Sequence, residues 1–340
     1  MGTDAAKRTA ADATALIRRF CPDVTAERLE ELPHFDWGGD SDAFLVDGTH
    51  VFRFARHEPM RQGYEVEACL LPKLAAHLAA RRIMVEIPQF THVGRPYGAP
   101  PLFVGYPLVE GKQLTPAGLA RLEQDGTEEG GDFDAIARTL AGFLAAVHTF
   151  PVEAAEGCGV GGLRIPLREQ IQRQQARIQE HVYRVLPEKA RRFLNGVFEA
   201  FLGDPRYTAW PGVLCHGDLS SDHILVRTDT EGRTRLAGVI DFGDVCLGDL
   251  SGDFAWRGEY GEAFFWRVLG YYDGPIAEQD KAAFAEAVGF RLALLPVAEI
   301  GYGLDVGNRG YVEEGTARLL DFMRKHAARE TGPSPHSTAP

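Results

Sequence analysis

The feature that most constrains the fold is a short β-rich segment at residues 213–242, inside a chain that otherwise has helical patterning from about residue 112 onward. It contains two apolar runs, HILV at 223–226 and LAGVI at 236–240, joined by a polar turn at 228–235. Two strands joined in this way predict an antiparallel hairpin whose outer ends lie side by side. Asp218 and His223 precede or begin the first strand, and Asp241 ends the second. These three side chains are therefore predicted to converge on one pocket.

This set of side chains has the composition that phosphoryl transfer requires. One carboxylate orients a hydroxyl group and accepts its proton, and two further ligands hold Mg²⁺ beside a nucleoside triphosphate. Magnesium keeps several of its water molecules and needs few protein ligands, which suits a site with only three polar side chains. The pattern therefore favours a kinase that acts on a hydroxyl group.

The motifs resemble those of a known family. LCHGDLSSDHILV followed by GVIDFGDVCLGDLSGDFAW is similar to the catalytic loop and DFG segment of the aminoglycoside phosphotransferases, a branch of the protein-kinase fold. SSDHIL with IDFGD most resembles the 2''-aminoglycoside enzymes, which keep His where most kinases have Asn. Macrolide 2'-phosphotransferases are related, but they usually read D-W where this chain has Asp241-Phe242. The resemblance covers residues 35–325, more specifically in the C-terminal half.

The resemblance implies a role for each matching residue. Asp218 would be the catalytic base, with His223 and Asp241 as metal ligands. His216 would brace the loop, and Asp253 would anchor its backbone from the following helix. The implied fold class is α+β, protein-kinase-like and two-lobed, with a small β-rich N-lobe and a larger helical C-lobe. We expect the nucleotide-binding lobe at 1–108 (1–10 loose), the helical lobe at 109–328, and a disordered tail at 329–340.

On the nucleotide side, the kinase resemblance requires a cation on the third strand and a glutamate on the next helix. The matching position in HVFRFAR is Arg53, where related kinases usually carry lysine. Glu67, fourteen residues on, is the expected partner, and Glu65 is the alternative. The other predicted nucleotide-binding residues are the loop Gly39, Asp40 and Ser41, the roof residue Val51, Tyr106 in the gatekeeper position, and Pro107 and Val109 of the hinge. Among 2''-aminoglycoside kinases a tyrosine at the position of Tyr106 is associated with a preference for GTP, so the resemblance implies GTP, with ATP as the alternative.

On the acceptor side, a polycationic aminoglycoside needs several carboxylates around the catalytic loop. The candidates besides Asp218 are Asp249, Glu259, Glu262, Glu313 and Glu314, with Glu299 and Asp305 nearby in sequence. A macrolide would instead need a broad apolar wall. The aromatic candidates for such a wall are Phe254, Trp256, Phe264, Phe265, Trp266 and Tyr302.

Composition narrows the setting in which the chain acts. A formal net charge of -12 argues against a nucleic-acid partner and suits a cationic ligand. The five cysteines are scattered without C-x-x-C pairs, which predicts free thiols in a reducing cytoplasm. The N-terminus lacks a signal-peptide pattern, and no apolar run reaches membrane-spanning length. We expect a cytoplasmic monomer or weak dimer that binds a small molecule.

Together these observations predict an antibiotic O-phosphotransferase that transfers the γ-phosphate of GTP or ATP to an aminoglycoside hydroxyl and confers resistance. The alternatives are a macrolide 2'-phosphotransferase or a kinase of another hydroxylated metabolite. A nucleotide-binding pseudokinase is the alternative from a different class, and the intact Asp218 and Asp241 argue against it. A protein kinase is disfavoured because no activation loop with an A-P-E end follows Asp241.

Overall fold

The computed structural model describes residues 7–32, 41–162 and 166–331, which form two compact units. The first unit comprises the described residues up to 162 together with 213–275, and the second comprises 166–212 and 276–331. No helix within the described ranges is long and apolar enough to cross a membrane. These units do not coincide with the two predicted lobes, whose boundary was placed between residues 108 and 109. The predicted lobe boundary stays a prediction.

The first unit begins with a five-stranded antiparallel sheet. Its strands are β1 (Leu29–Glu31), β2 (Ser41–Val46), β3 (His50–Ala55), β4 (His92–Gly94) and β5 (Phe103–Pro107), in the order β1-β2-β3-β5-β4. Asp47 and Gly48 connect β2 to β3 with φ of +50° and +68°. Asp-Gly is favoured where both central residues of a hairpin turn need positive φ, and this pair accounts for the tight turn between β2 and β3. Residues 85–93 contribute only an isolated bridge at Glu86 and the first two residues of β4.

Two helices cover opposite faces of this sheet. α1 (Ala10–Phe20) packs on Phe52 and Phe54 of β3, whereas α2 (Glu58–Ala80) packs Tyr64 against Ala55. Side chains alternate along a strand, so Arg53 lies on the same face as Ala55. Only 7% of Arg53 is exposed. The alternation therefore directs a buried guanidinium group at α2.

The remainder of the first unit surrounds the β-rich segment that the sequence singled out. Its further elements are α3 (Pro116–Asp125), α4 (Asp132–His148), α5 (Val152–Glu156), α8 (Arg257–Tyr260), α9 (Glu262–Tyr271), β6 (Lys112–Gln113), β7 (Val213–Cys215), β8 (Ile224–Thr228), β9 (Thr234–Val239) and β10 (Cys246–Gly248). β8 and β9 form the predicted hairpin, with Ile224 opposite Val239. β7 pairs with β10. The pairing of β8 with β9 brings the segments that contain Asp218 and Asp241 together.

The second unit is helical. It contains α6 (Leu167–His181), α7 (Glu188–Gly203), α10 (Lys281–Asp305) and α11 (Arg309–Thr331). α6 carries the Gln-rich part of the chain. Within this unit α10 and α11 pack against each other across a short turn. α11 continues past residue 329, where the sequence predicted the start of a disordered tail.

The cysteine expectation is wrong for two of the five residues. Cys69 in α2 and Cys158, just after α5, form a disulfide across 89 residues of chain. Cys21, Cys215 and Cys246 remain thiols. Sequence spacing carried no sign of this pair, because the contact arises only when α2 packs beside the segment that follows α5.

A buried carboxylate joins α4 to α9. Asp134 accepts hydrogen bonds from the Gly130 N–H at 3.0 Å, Arg267 Nη1 at 2.8 Å and the Tyr271 hydroxyl at 2.5 Å. Burial opposes ionisation of Asp134, but these donors outweigh it and lower the pKa to about 2. The folded state therefore favours the ionised form of this carboxyl group.

We expect Asp134→Asn to lower the free energy of unfolding by roughly 2 kcal/mol at neutral pH, since each unit of pKa shift corresponds to about 1.4 kcal/mol. This contribution to the free energy of unfolding is present above pH 3.8, the ordinary pKa of an Asp side chain. It is lost as the pH falls through about 2, the pKa of Asp134 in the folded protein. Urea denaturation between neutral pH and about pH 3 measures it, with the exposed Asp280→Asn as the matched control. A deficit that does not narrow below about pH 4 would contradict an origin in the charge.

Candidate active site

The segment with the candidate base leaves β7 as His216, Gly217 and Asp218. Gly217 has φ of +91°, and a Cβ atom at this position would overlap the Asp244 carbonyl oxygen. Glycine adopts this conformation readily and leaves the space free. The Asp218 side chain is 59% exposed, so it can reach a bound acceptor.

His216 connects the Asp218 segment to the residue before Asp241. Its Nε2–H donates to the Ile240 carbonyl oxygen at 3.0 Å, and its Nδ1 accepts from the Asp218 N–H at 3.4 Å. A carbonyl only accepts and a backbone N–H only donates, so these partners select one neutral tautomer. Burial lowers the pKa of His216, which keeps the ring neutral. His216 thus has the geometry of the predicted brace.

Asp253 is fully buried and holds the backbone of this loop. Its Oδ2 accepts from the His216 N–H at 2.7 Å, and its Oδ1 accepts from the Gly217 N–H at 2.9 Å. His148 Nε2 lies 3.1 Å from the same Oδ2. Burial raises the pKa of Asp253, but hydrogen bonding by the His148 ring and the Gly217 amide outweighs this effect and lowers it. The anchoring contact expected of Asp253 is present.

His148 and Tyr272 extend this network, and sequence reasoning missed both. His148 Nδ1 lies 2.8 Å from the Tyr272 hydroxyl, and both side chains are buried. His148 precedes Asp253 by 105 residues, so no local spacing connects them. One sequence feature could have pointed to His148: it follows Val147 at the end of the apolar face of α4.

His223 and Asp241 face each other beside Asp218, as predicted. His223 Nδ1 donates to the Asp218 carbonyl oxygen at 2.6 Å, which leaves the lone pair on Nε2. That nitrogen lies 3.6 Å from Asp241 Oδ2. Two electron-pair donors at this distance are stabilised by a cation that both can bind. The donor set therefore fits a divalent cation such as Mg²⁺ with water completing its coordination.

Asp241 has unusual backbone geometry and charge. Its φ is +65°, a region that residues other than glycine seldom adopt and that occurs preferentially at functional sites. Its Oδ1 lies 3.3 Å from Arg53 Nη2. Burial opposes ionisation, but the Arg53 guanidinium group outweighs it and lowers the pKa of this carboxyl group. Asp241 is therefore held as a carboxylate, the form that binds a cation.

Arg53 also pairs with Glu67, so the expected strand-to-helix ion pair is present. Arg53 Nη1 lies 2.9 Å from Glu67 Oε2, with side-chain exposures of 8% and 1%. Burial raises the pKa of Glu67, and the adjacent guanidinium group opposes that change. The competing candidate, Glu65, points elsewhere and pairs with Arg95 at 2.9 Å. The role of the Arg53–Glu67 pair in nucleotide binding stays a prediction.

The other nucleotide candidates lie around the end of the sheet. Val51 of β3 is opposite Tyr106 of β5, and the buried Tyr106 ring stacks on Phe90 with centroids 5.8 Å apart. Pro107 is exposed at the end of β5, whereas Val109 is buried. Ser41 begins β2. Gly39 and Asp40, predicted to cover the phosphates, lie outside the described residues.

The carboxylates predicted to bind the acceptor differ in their contacts and in their position in the fold. Asp249 caps a short 3₁₀ turn through the Ser251 N–H at 3.1 Å, and Glu262 pairs with Arg257 at 2.8 Å. The exposed Glu259 accepts from the Ser221 N–H at 2.9 Å, at the turn that leads to His223. Glu313 and Glu314 are exposed on α11, in the second unit. The carboxylates of α8 and α9 thus lie in the same unit as Asp218, and their role towards an acceptor stays a prediction.

Comparison with known proteins identifies the family and the fold. The model of the phosphotransferase enzyme family matches residues 31–289. A GDP and kanamycin complex of APH(2'')-IIIa is similar, with 28% identity and a TM-score of 0.79, covering 92% of this chain and 98% of that one. The GDP complex of a wild-type aminoglycoside 2'-phosphotransferase-IIIa is also similar. It has 29% identity and a TM-score of 0.82, covering 94% of this chain and 100% of that one. A macrolide 2'-phosphotransferase type I shares the fold, with 24% identity and a TM-score of 0.65 over 92% and 98% of the two chains.

The fold and the site define a small-molecule kinase with a protein-kinase-like α+β architecture, which confirms the predicted fold class. The chain belongs to the phosphotransferase enzyme family, as its catalytic-loop motifs indicated.

We expect Asp218→Asn to lower kcat by about 10²- to 10⁴-fold, because the variant cannot accept the hydroxyl proton. Nucleotide affinity should change little, since Asp218 belongs to the acceptor side of the site. A coupled assay of nucleoside diphosphate release together with calorimetric nucleotide titration measures both quantities. Turnover close to that of the unsubstituted chain would exclude Asp218 as the base.

Asp241→Ala should act on a different step. We expect it to weaken binding of the Mg²⁺–nucleotide complex by about tenfold or more, because it removes one of two proposed cation ligands. Titration with nucleotide in the presence and absence of Mg²⁺ separates this effect from general damage. A loss of affinity that is equal with and without Mg²⁺ would contradict the assignment of Asp241 to the metal.

Proposed function

We propose that this chain transfers the γ-phosphate of a nucleoside triphosphate to a hydroxyl group of an aminoglycoside, and so confers resistance to that antibiotic. The observation that carries the proposal is the convergence of Asp218, His223 and Asp241 in one unit with the Arg53–Glu67 pair. The two aminoglycoside phosphotransferase structures that match almost the whole chain support the acceptor class.

In this mechanism Asp218 orients the acceptor hydroxyl and takes its proton as the oxygen attacks the γ-phosphorus. His223 and Asp241 would hold Mg²⁺, which supplies positive charge against the developing charge on the phosphate oxygens. Arg53 would contribute a second positive charge at the phosphates. Its position is set by Glu67 and Asp241, so the guanidinium is placed before nucleotide arrives.

We propose GTP as the preferred phosphate donor. Tyr106 and Phe90 form a rigid aromatic stack at the end of β5, with a 27° angle between the ring planes. A bulky residue at this position narrows the back of the base pocket. The two aminoglycoside enzymes described above were both observed with GDP. ATP remains the alternative donor.

A cationic acceptor agrees with the charge of this chain better than a macrolide does. The formal net charge is -12, and Glu259 is exposed near the turn that carries His223. The proposed macrolide wall is largely unavailable, because Phe254, Trp256, Phe264 and Phe265 are at most 1% exposed. These rings pack on one another as core. The structure thus favours recognition of amines by carboxylates over recognition of a large apolar ring.

Kanamycin, gentamicin, hygromycin and erythromycin, each with GTP and with ATP, test the proposal. We expect kanamycin or gentamicin to stimulate nucleoside diphosphate release, most strongly with GTP, and the antibiotic to gain the mass of one phosphate. Asp218→Asn is the control for release that is independent of transfer. Stimulation by erythromycin alone would replace the proposal with the macrolide function. No stimulation by any of the four would favour another hydroxylated metabolite.

A further inference from the structure

The disulfide between Cys69 and Cys158 joins the helix that bears Glu67 to a segment connected to the catalytic loop. Cys69 is on α2, two residues after Glu67, so it shares a rigid helix with the partner of Arg53. Glu67 is held there by a hydrogen bond from Arg53 Nη1, and its other oxygen has no hydrogen-bond partner among the described residues. The placement of this carboxylate therefore depends strongly on how α2 itself is held.

The other end of the disulfide is connected to the catalytic loop. Cys158 is followed by Gly159, with φ of +85°, and then by Gly161, whose carbonyl oxygen accepts from the Leu247 N–H at 2.8 Å. Leu247 belongs to β10, which pairs with β7. β7 leads directly into His216 and Asp218. The disulfide thus joins the helix that bears Glu67 to the strand pair that bears the candidate base.

A lysine beside the two sulfur atoms favours exchange chemistry at this position. Lys73, one turn after Cys69, places its Nζ atom 3.5 Å from Cys69 Sγ and 3.1 Å from Cys158 Sγ. A nearby ammonium group stabilises the thiolate, which is the form that attacks a disulfide. Lys73 is exposed and Cys69 is partly exposed, whereas Cys158 is 7% exposed. A small reagent can therefore reach the pair from the side of Cys69.

We propose that Cys69 and Cys158 are a reversible modification site for small-molecule disulfides of the glutathione type, and that their oxidation state sets nucleotide affinity. The Cys69 thiolate attacks one sulfur of the reagent, which forms a mixed disulfide and releases one thiol. The Cys158 thiolate then attacks Cys69 Sγ and releases the second thiol. The protein loses two protons and two electrons, and the reagent gains both.

The oxidised form holds α2 against the catalytic segment and keeps Glu67 in place beside Arg53. Reduction releases α2 from that segment, so nucleotide binding must then restore the ion pair. A conformational cost of this kind lowers apparent affinity for nucleotide. The inference rests on the nucleotide site of the proposed function and is independent of the identity of the acceptor.

Nucleotide titration of protein equilibrated in glutathione redox buffers tests the proposal. Mass spectrometry after alkylation reports the fraction with the Cys69–Cys158 bond, and calorimetry reports the Kd for GDP with Mg²⁺. We expect the reduced protein to bind about fivefold more weakly than the oxidised protein. Cys69→Ser and Cys158→Ser should bind like the reduced protein in every buffer, whereas Cys21→Ser should follow the unsubstituted chain. Because the readout needs no acceptor, a failed antibiotic screen leaves this result interpretable.

A separate variant tests the contribution of Lys73 to the rate of disulfide formation. We expect Lys73→Gln to slow oxidation by glutathione disulfide about threefold, with the exposed Lys189→Gln unchanged as the matched control. Two results would overturn the proposal. One is thiols that stay reduced across the whole range of buffers, and the other is a nucleotide Kd that is equal within twofold in the oxidised and reduced forms.

Discussion

The geometry of this site depends on one buried carboxylate, that of Asp253. A charged group without water is tolerated only when several donors converge on it, and here the His216 and Gly217 amides and the His148 ring do so. Removing one partner of a buried charged network typically costs about 3–5 kcal/mol, because the remaining charge stays uncompensated. The turn at Gly217, and with it the direction of Asp218, is maintained by this network. The candidate base is thus positioned by a fully buried group.

Arg53 connects the sheet both to α2 and to the segment that contains Asp241. A guanidinium group presents two nitrogens in a fixed fork, and Arg53 uses Nη1 for Glu67 and Nη2 for Asp241. A lysine ammonium group is a single point charge and cannot contact two partners through separate, fixed nitrogens. In this chain, therefore, one side chain sets the spacing between α2 and the candidate metal ligand. The departure from the usual residue is compatible with a functional site.

The sequence predicted a contact between two site residues where a short stretch of chain connects them, and missed it where only tertiary packing brings them together. Asp218, His223 and Asp241 could be grouped because one hairpin and one short loop connect them. Strand alternation and helix position placed Glu67 near Arg53 but left Glu65 as a competitor, and only packing decided between them. His148 with Asp253, and Cys69 with Cys158, are separated by 105 and 89 residues, so their contacts arise from tertiary packing that no local pattern records.

The ring of His216 has a consequence for how such an enzyme can change over time. Its two nitrogens tie the Asp218 segment to the Asp241 segment, so the candidate base and the candidate cation ligand are held together. The His216 ring that connects them is buried, whereas the carboxylates Glu259 of α8 and Glu313 and Glu314 of α11 are exposed. Selection can therefore replace an exposed carboxylate of this kind without altering the buried contacts of His216. A lineage built on this arrangement can diversify in the acceptors it uses while inheriting the reaction unchanged.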